Sequence, residues 1–333
     1  TPLYSSAASD VYKRQIWALT TINLFGVKIS GKFQVVFGAT KVIAVGGIIG
    51  ITLTGFSTGN IAHFSDPFWP EEFGWHTILA VGAALRYSFF AFSGWEGATY
   101  MAEEVKNPGK TLPLALFLGI SGIMLLYLGA NLGYLYQLDV EAIKQNKWVA
   151  TKAVEVVLGA SGGILISVAV AINAFGNIST QILCKGRAWH AMARDGLFFD
   201  NFNKLHPVYA TPNNALIGQG IWATVLLIGA VMSTYYQSGS GGNNTYETII
   251  DFFSATSTIF NLLTFGSIYL LRKKFPNKKR PYKAFFYPWS MIIVLVLYIS
   301  FLILTLITAF VPSMIGIALT ATGTIYYIKK VKN

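Results

Sequence analysis

A chain of 333 residues in which 53% are hydrophobic and only 12% are charged lies far from ordinary soluble domains, which are about 25% charged, and composition alone makes it a membrane protein. A net charge of +11 raises nucleic acid as a partner, and the placement of that charge, given below, argues against it. One cysteine, Cys184, and four histidines exclude an internal disulfide framework and a cysteine-based zinc cluster, so neither a metal site nor a cofactor is expected.

Residues 1–15, TPLYSSAASDVYKRQ, are polar and lack the apolar core of a signal peptide, so they are expected to be a disordered or foreign leader outside the fold. Residues 16–333 are expected to form one polytopic transmembrane domain. It opens with a short apolar stub, Ile16–Phe25. Eight full spans follow, each long enough for a hydrocarbon core about 30 Å thick: Phe33–Phe56, Trp75–Tyr100, Leu112–Tyr136, Ala153–Leu183, Asn214–Tyr235, Ile249–Leu271, Phe286–Phe310 and Pro312–Ile328.

Cytoplasmic loops of membrane proteins retain lysine and arginine. Alternate loops of this chain carry eighteen basic residues on one side, namely those at positions 28, 32, 106, 110, 185, 187, 194, 204, 272–274, 278–280, 283, 329, 330 and 332. The other side has three, Lys144, Lys147 and Lys152, and its loop Ser57–Gly74 offers Asp66, Glu71 and Glu72 with no lysine or arginine. This asymmetry places the C-terminus in the cytoplasm and supports the span count, because one missed or invented helix would scramble the alternation. It also accounts for RKKFPNKKRPYK as a topogenic loop beside lipid headgroups rather than a nucleic-acid surface.

One span is interrupted. In FFAFSGWEG, an apolar run meets Ser93, Gly94 and Gly97 around Trp95 and Glu96. Irregular backbone at membrane depth survives only when it is buried in protein or lines a polar cavity, and discontinuous helices are a common way for secondary transporters to build a binding site at the midplane. Here Phe90–Phe92 would end the outer half-helix, with the carbonyls of Phe90, Ala91 and Phe92 available to an ammonium group and Phe92 and Trp95 as movable walls. The alternative is that the small residues only permit close helix packing. Glu96 favours a functional break, since an ionisable group within a span is costly. Arg86, ten residues earlier and so roughly 15 Å away along a helix, is expected either to snorkel outward or to line an entrance vestibule. Lys41, two turns into its span, either snorkels or places a fixed cation where related machines bind a metal ion.

The stretch GWEGATYMAEEVKNPGKTLPLAL resembles the sixth-helix signature of permeases in the amino acid, polyamine and organocation (APC) superfamily, and specifically the L-amino-acid transporter family. AFGNISTQILCKGRAWHAMARDGLFFDNFNKLHPVYATPNNAL is similar to that family's eighth helix and following loop, and LRKKFPNKKRPYKAFFYP to its loop after helix ten. The resemblance implies an all-α, LeuT-type inverted-repeat transporter fold, running here from the end of helix four through helix twelve and N-terminally truncated. It implies substrate binding at Phe90, Ala91, Phe92, Ser93, Gly94, Trp95 and Glu96, with Phe253 on helix ten joining the pocket. Lys41 matches the helix-five lysine that replaces a sodium ion in sodium-independent members. At Glu96 the family often has a neutral residue, so that side chain favours a cationic substrate, couples protons, or pairs with another helix.

Secondary transport of an L-amino acid by alternating access, as exchange or proton-linked uptake, is the expected function. The competing class is a channel or a non-transporting amino acid sensor on the same fold. A membrane enzyme is not expected, because Glu96, Glu103 and Glu104 have no paired histidine or metal-ligand spacing. Glu103 and Glu104, with Arg86, are gate candidates, or else the two glutamates form a solvated helix end. The expected partners are a small amino acid substrate and membrane lipid, with no nucleic acid and no partner subunit indicated. The expected location is the plasma membrane.

Overall fold

The structure is a computed structural model. It describes the backbone of all residues except 1, 26, 66–71, 147, 238–244, 279, 281 and 333, and it describes side chains outside 1–12, 26–30, 66–71, 147, 229–249, 251–252, 279, 281, 326 and 329–333. Asp66, Glu71, Lys147 and Lys279, used above to orient the chain, lie outside the described residues. The described backbone is helical, with no strand. Hydrocarbon offers no partner to peptide groups, and a helix satisfies them within its own segment.

The chain divides into two compact units. The first contains α1 (Pro2–Leu24), α2 (Val27–Thr54), residues 114–137 of α5 (Pro108–Gln137), α6 (Val140–Gln145), α7 (Val149–Leu158), α8 (Ala160–Arg194) and the opening of α9 (Asn213–Gln237). α8 is its hub, packing against α1, α2, α7 and a short 3-10 helix, Asp200–Asn203. Leu19, Ile182 and Leu216 form one buried cluster, backed by Phe33 and Phe175, while Ile48, Val154 and Ile166 form another. The second unit contains α3 (Trp75–Ala91), α4 (Gly97–Tyr100), α10 (Thr245–Lys274), α11 (Trp289–Thr308) and α12 (Phe310–Lys332). Within it α10 packs on α3, α11 and α12.

Among the described residues, five stretches are long and apolar enough to cross a bilayer: Gly31–Thr54, Pro108–Gln137, Ala160–Arg194, Phe253–Lys274 and Trp289–Thr308. Asn213–Ile228 and Phe310–Ile325 are shorter apolar helices within the described residues. The chain is an integral membrane protein, and its many exposed apolar side chains, such as Phe117 on α5 and Leu297 on α11, are suited to lipid rather than water. Two expected spans are built differently. Trp75–Tyr100 is divided into α3 and α4 by a turn. Ala153–Leu183 is divided at Gly159, whose φ of +64° ends α7, and α8 then runs on past Leu183 to Arg194. The corner GASGG lets α7 fold back on α8: a Cβ on Gly162 would lie 2.8 Å from the Val154 carbonyl oxygen. α1 is continuous from Pro2 to Leu24, so residues 2–15, expected as a leader, are in the same helix as the stub.

At the end of α2 the last carbonyls have no helical partners. Gln137, buried at the end of α5, supplies them: its Nε2 donates to the carbonyls of Thr52 (2.6 Å) and Gly55 (3.2 Å). Its Oε1 accepts from the Thr58 hydroxyl at 2.7 Å. One side chain thus ties α5 to the α2 terminus. Gln137→Leu strands these groups and is expected to cost about 2 kcal/mol, measured as a lower unfolding midpoint in detergent. Asn131→Ala, which removes only an exposed bond within α5, is the control expected to leave the midpoint nearly unchanged.

Candidate functional site

In the second unit, α3 stops at Ala91 and α4 resumes at Gly97. Gly94 sits between them with φ +100°, a conformation that a side chain with a Cβ rarely adopts. Several polar groups exposed by the break are met locally. The Phe90 carbonyl accepts from Ser93 N–H (3.1 Å) and from the Ser93 hydroxyl (2.7 Å). The Gly94 N–H donates to the Glu96 carboxylate at 3.0 Å. The Glu96 carbonyl then accepts from Thr99 N–H (2.9 Å) and Thr99 Oγ1 (2.6 Å), starting the next helical turn. The carbonyl expected to await an ammonium group at Phe90 is therefore already engaged by Ser93, and Glu96 serves the backbone of the break itself.

Aromatic rings surround this turn. Phe90 meets Phe253 of α10 edge to face, with centroids 5.5 Å apart. Trp95 stacks on Phe265 at 6.3 Å, and Phe265 in turn lies 5.5 Å from Tyr298 of α11. The structure thus gathers Phe90, Ser93, Gly94, Trp95, Glu96 and Phe253 into one region, together with Phe265 and Tyr298, which the sequence does not single out. Ala91 and Phe92 are on its exposed edge. Arg86 is buried, with 8% exposure, within α3. Glu103 and Glu104 are exposed on the short 3-10 helix Ala102–Glu104 that follows α4.

In the first unit, Lys41 of α2 lies across α8. Its ammonium donates to Asn177 Oδ1, and Asn177 Nδ2 donates to Asn173 Oδ1 at 3.3 Å. Gly176 makes this approach possible, because a Cβ there would be 2.9 Å from Lys41 Cε and 3.1 Å from Phe37 Cβ. Two turns earlier on α2, Gln34 Nε2 donates to Ser179 Oγ at 2.9 Å while Gln34 Oε1 accepts from Thr180 Oγ1 at 2.5 Å. Lys41 is therefore the charged member of a polar seam between α2 and α8. Sequence reasoning isolated Lys41 alone; the repeat of polar residues at 173, 177 and 180, at helical spacing on α8, was the available signal for its partners.

A family model described as amino acid permease matches residues 15–328. The b(0,+)-type amino acid transporter 1 of Oryctolagus cuniculus is 27% identical over 269 residues, covering 81% of this chain and 52% of that protein. The large neutral amino acids transporter small subunit 2 of Mus musculus and that of Homo sapiens are each 27% identical over 310 residues, covering 93% of this chain and 55% of those proteins. The chain spans about half the length of the curated relatives it matches. With a match extending over nearly all of its spans, the chain belongs to the amino acid permease family.

Proposed function

We propose that this chain is part of a secondary transporter of L-amino acids that works by alternating access, and that the turn between α3 and α4 holds the substrate. The observation that carries this proposal is a helix interrupted inside an apolar span, with Gly94 at φ +100° and the rings of Phe90, Trp95 and Phe253 around the interruption. A close-packed structural helix has no need of such a break, whereas a site that must offer backbone groups to a small zwitterion does. The aromatic surroundings, and relatives named as transporters of large neutral amino acids, support an apolar side chain on the substrate.

The seam around Lys41 supports sodium independence, since a fixed ammonium on Asn177 supplies a positive charge without a bound ion. The loop asymmetry supports a cytoplasmic C-terminus, and the family supports residence in the plasma membrane. Two relatives are named small subunits, and this favours assembly with a second subunit over a chain acting alone. Cys184 is buried, so we place that contact elsewhere.

The decisive experiment uses liposomes containing the product of the complete reading frame, with labelled leucine, phenylalanine and lysine offered with and without internal amino acid. Uptake stimulated by internal substrate and unchanged when sodium is replaced is the expected result. Absence of uptake for every amino acid, in a folded protein, removes the transport assignment. Dependence on sodium removes the role given to Lys41.

Glu96 yields a separate prediction. Gln at this position retains an oxygen that accepts the Gly94 N–H, and Leu does not. Glu96→Gln is expected to keep uptake within about threefold of the parent, whereas Glu96→Leu lowers it by about tenfold or more, the size of a lost charge-assisted hydrogen bond. If Glu96→Gln instead abolishes the pH dependence of uptake, the carboxylate is a proton carrier and its capping role is secondary.

A further inference from the structure

The last acidic residue of the chain is Asp251. The 82 residues after it contain ten lysines and arginines and no carboxylate side chain. Seven of the ten fall within residues 272–283, at the base of α10, and the other three lie at the end of α12. α10, α11 and α12 pack on one another, and the larger basic segment lies at the C-terminal end of α10 and in the loop that joins it to α11.

The loop between α10 and α11 is held by its own residues. The Arg272 guanidinium lies 3.6 Å from the centroid of the Tyr287 ring, joining the two ends of the loop. Arg280 donates to the carbonyls of Phe275 (2.9 Å) and Pro276 (3.3 Å). Around these two pins Lys273, Lys278 and Lys283 are exposed. Beside them the loop presents large apolar rings: Phe285 is 83% exposed, Phe286 66% and Trp289 60%. Phe286 adopts φ +59°, a left-handed conformation that a bulky residue takes at an energetic cost, and its ring stacks on that of Phe285 at 6.0 Å. Lysines beside outward aromatic rings suit one environment well, the boundary where hydrocarbon meets charged headgroups. Aromatic rings concentrate at that depth, and each basic residue close to an anionic leaflet gains about 1 kcal/mol.

We propose that this loop is a binding surface for anionic phospholipid, with Lys273, Lys278 and Lys283 on headgroup phosphates and Phe285, Phe286 and Trp289 in the interfacial layer. Charge complementarity selects the lipid: the surface is wholly basic, and a zwitterionic headgroup returns a positive charge to it. The inference is independent of the transport assignment, since it concerns lipid held by the chain and not substrate.

The test titrates the intact chain in detergent with phosphatidylglycerol or phosphatidylcholine of the same acyl chains and counts retained lipid by native mass spectrometry. Phosphatidylglycerol is expected to be retained about tenfold more tightly. The triple variant Lys273→Gln, Lys278→Gln, Lys283→Gln loses this preference, and the matching Lys→Arg triple keeps it. Phe285→Ser with Phe286→Ser weakens retention of both lipids. Equal retention of the two lipids by the parent chain overturns the proposal, as does an undiminished preference in the Gln triple. Tighter binding of a short single-stranded RNA than of phosphatidylglycerol also overturns it, by giving the surface to a soluble polyanion.

Discussion

A peptide group inside hydrocarbon has to be paired by protein, because no water is present to do it. At the break between α3 and α4, side chains of the break itself meet part of that requirement. Ser93 closes the end of the first helix on the Phe90 carbonyl, Glu96 accepts the Gly94 N–H, and Thr99 opens the next turn on the Glu96 carbonyl. Gly94 then supplies a backbone conformation in which the chain can turn. The polar residues of FFAFSGWEG thus have a first duty toward the backbone, and any substrate must bind within what that duty leaves. Gln137 answers the same requirement at the end of α2, from a helix about eighty positions away in sequence.

The division of labour bears on how an ionisable residue in a span should be interpreted. Cost alone marks both Lys41 and Glu96 as unusual, and in both cases the structure shows what offsets that cost. Glu96 is engaged within its own turn, by a bond spanning two residues. Lys41 reaches another helix, and a glycine is spent on α8 to admit it. A local partner fixes a backbone shape, whereas a distant partner couples two elements. Of the two residues, Lys41 is therefore the better placed to sense a displacement of α2 against α8, and Glu96 to maintain the geometry of the turn.

Much of this was legible in the sequence, for identifiable reasons. Apolar length located most of the helices, and a serine-glycine pair followed by an acid within one apolar run located the break, because each is a local pattern with few physical causes. The corner at Gly159 was not legible. Glycine within an apolar run also serves helix packing, and only a backbone φ of +64° separates the two uses. The pairing of Lys41 with its partners was hidden by distance along the chain, since Lys41 and Asn177 are 136 positions apart. Burial of Arg86 could not be seen either, since a long cationic side chain in a span can extend to the surface or be enclosed, and packing decides which. The rings of Phe265 and Tyr298 were indistinguishable in sequence from the many aromatic residues that face lipid.

The uneven distribution of charge links topology to the membrane itself. Basic residues concentrated in one set of alternate loops orient a chain during insertion, and that role asks nothing of their detailed arrangement. A loop serving orientation alone would work as a disordered string of lysines. The loop after α10 has more structure than that. One arginine lies on a ring at the far end of the loop, another is tied to two carbonyls, and the phenylalanines that follow are turned outward. Such order restricts a segment that topology would leave free, and the restriction costs conformational entropy. It also holds cations and rings on a common surface, where an anionic headgroup and its adjoining hydrocarbon can be contacted together. A basic loop of the kind that orients membrane chains thereby gains, in our proposal, a means of distinguishing one lipid from another.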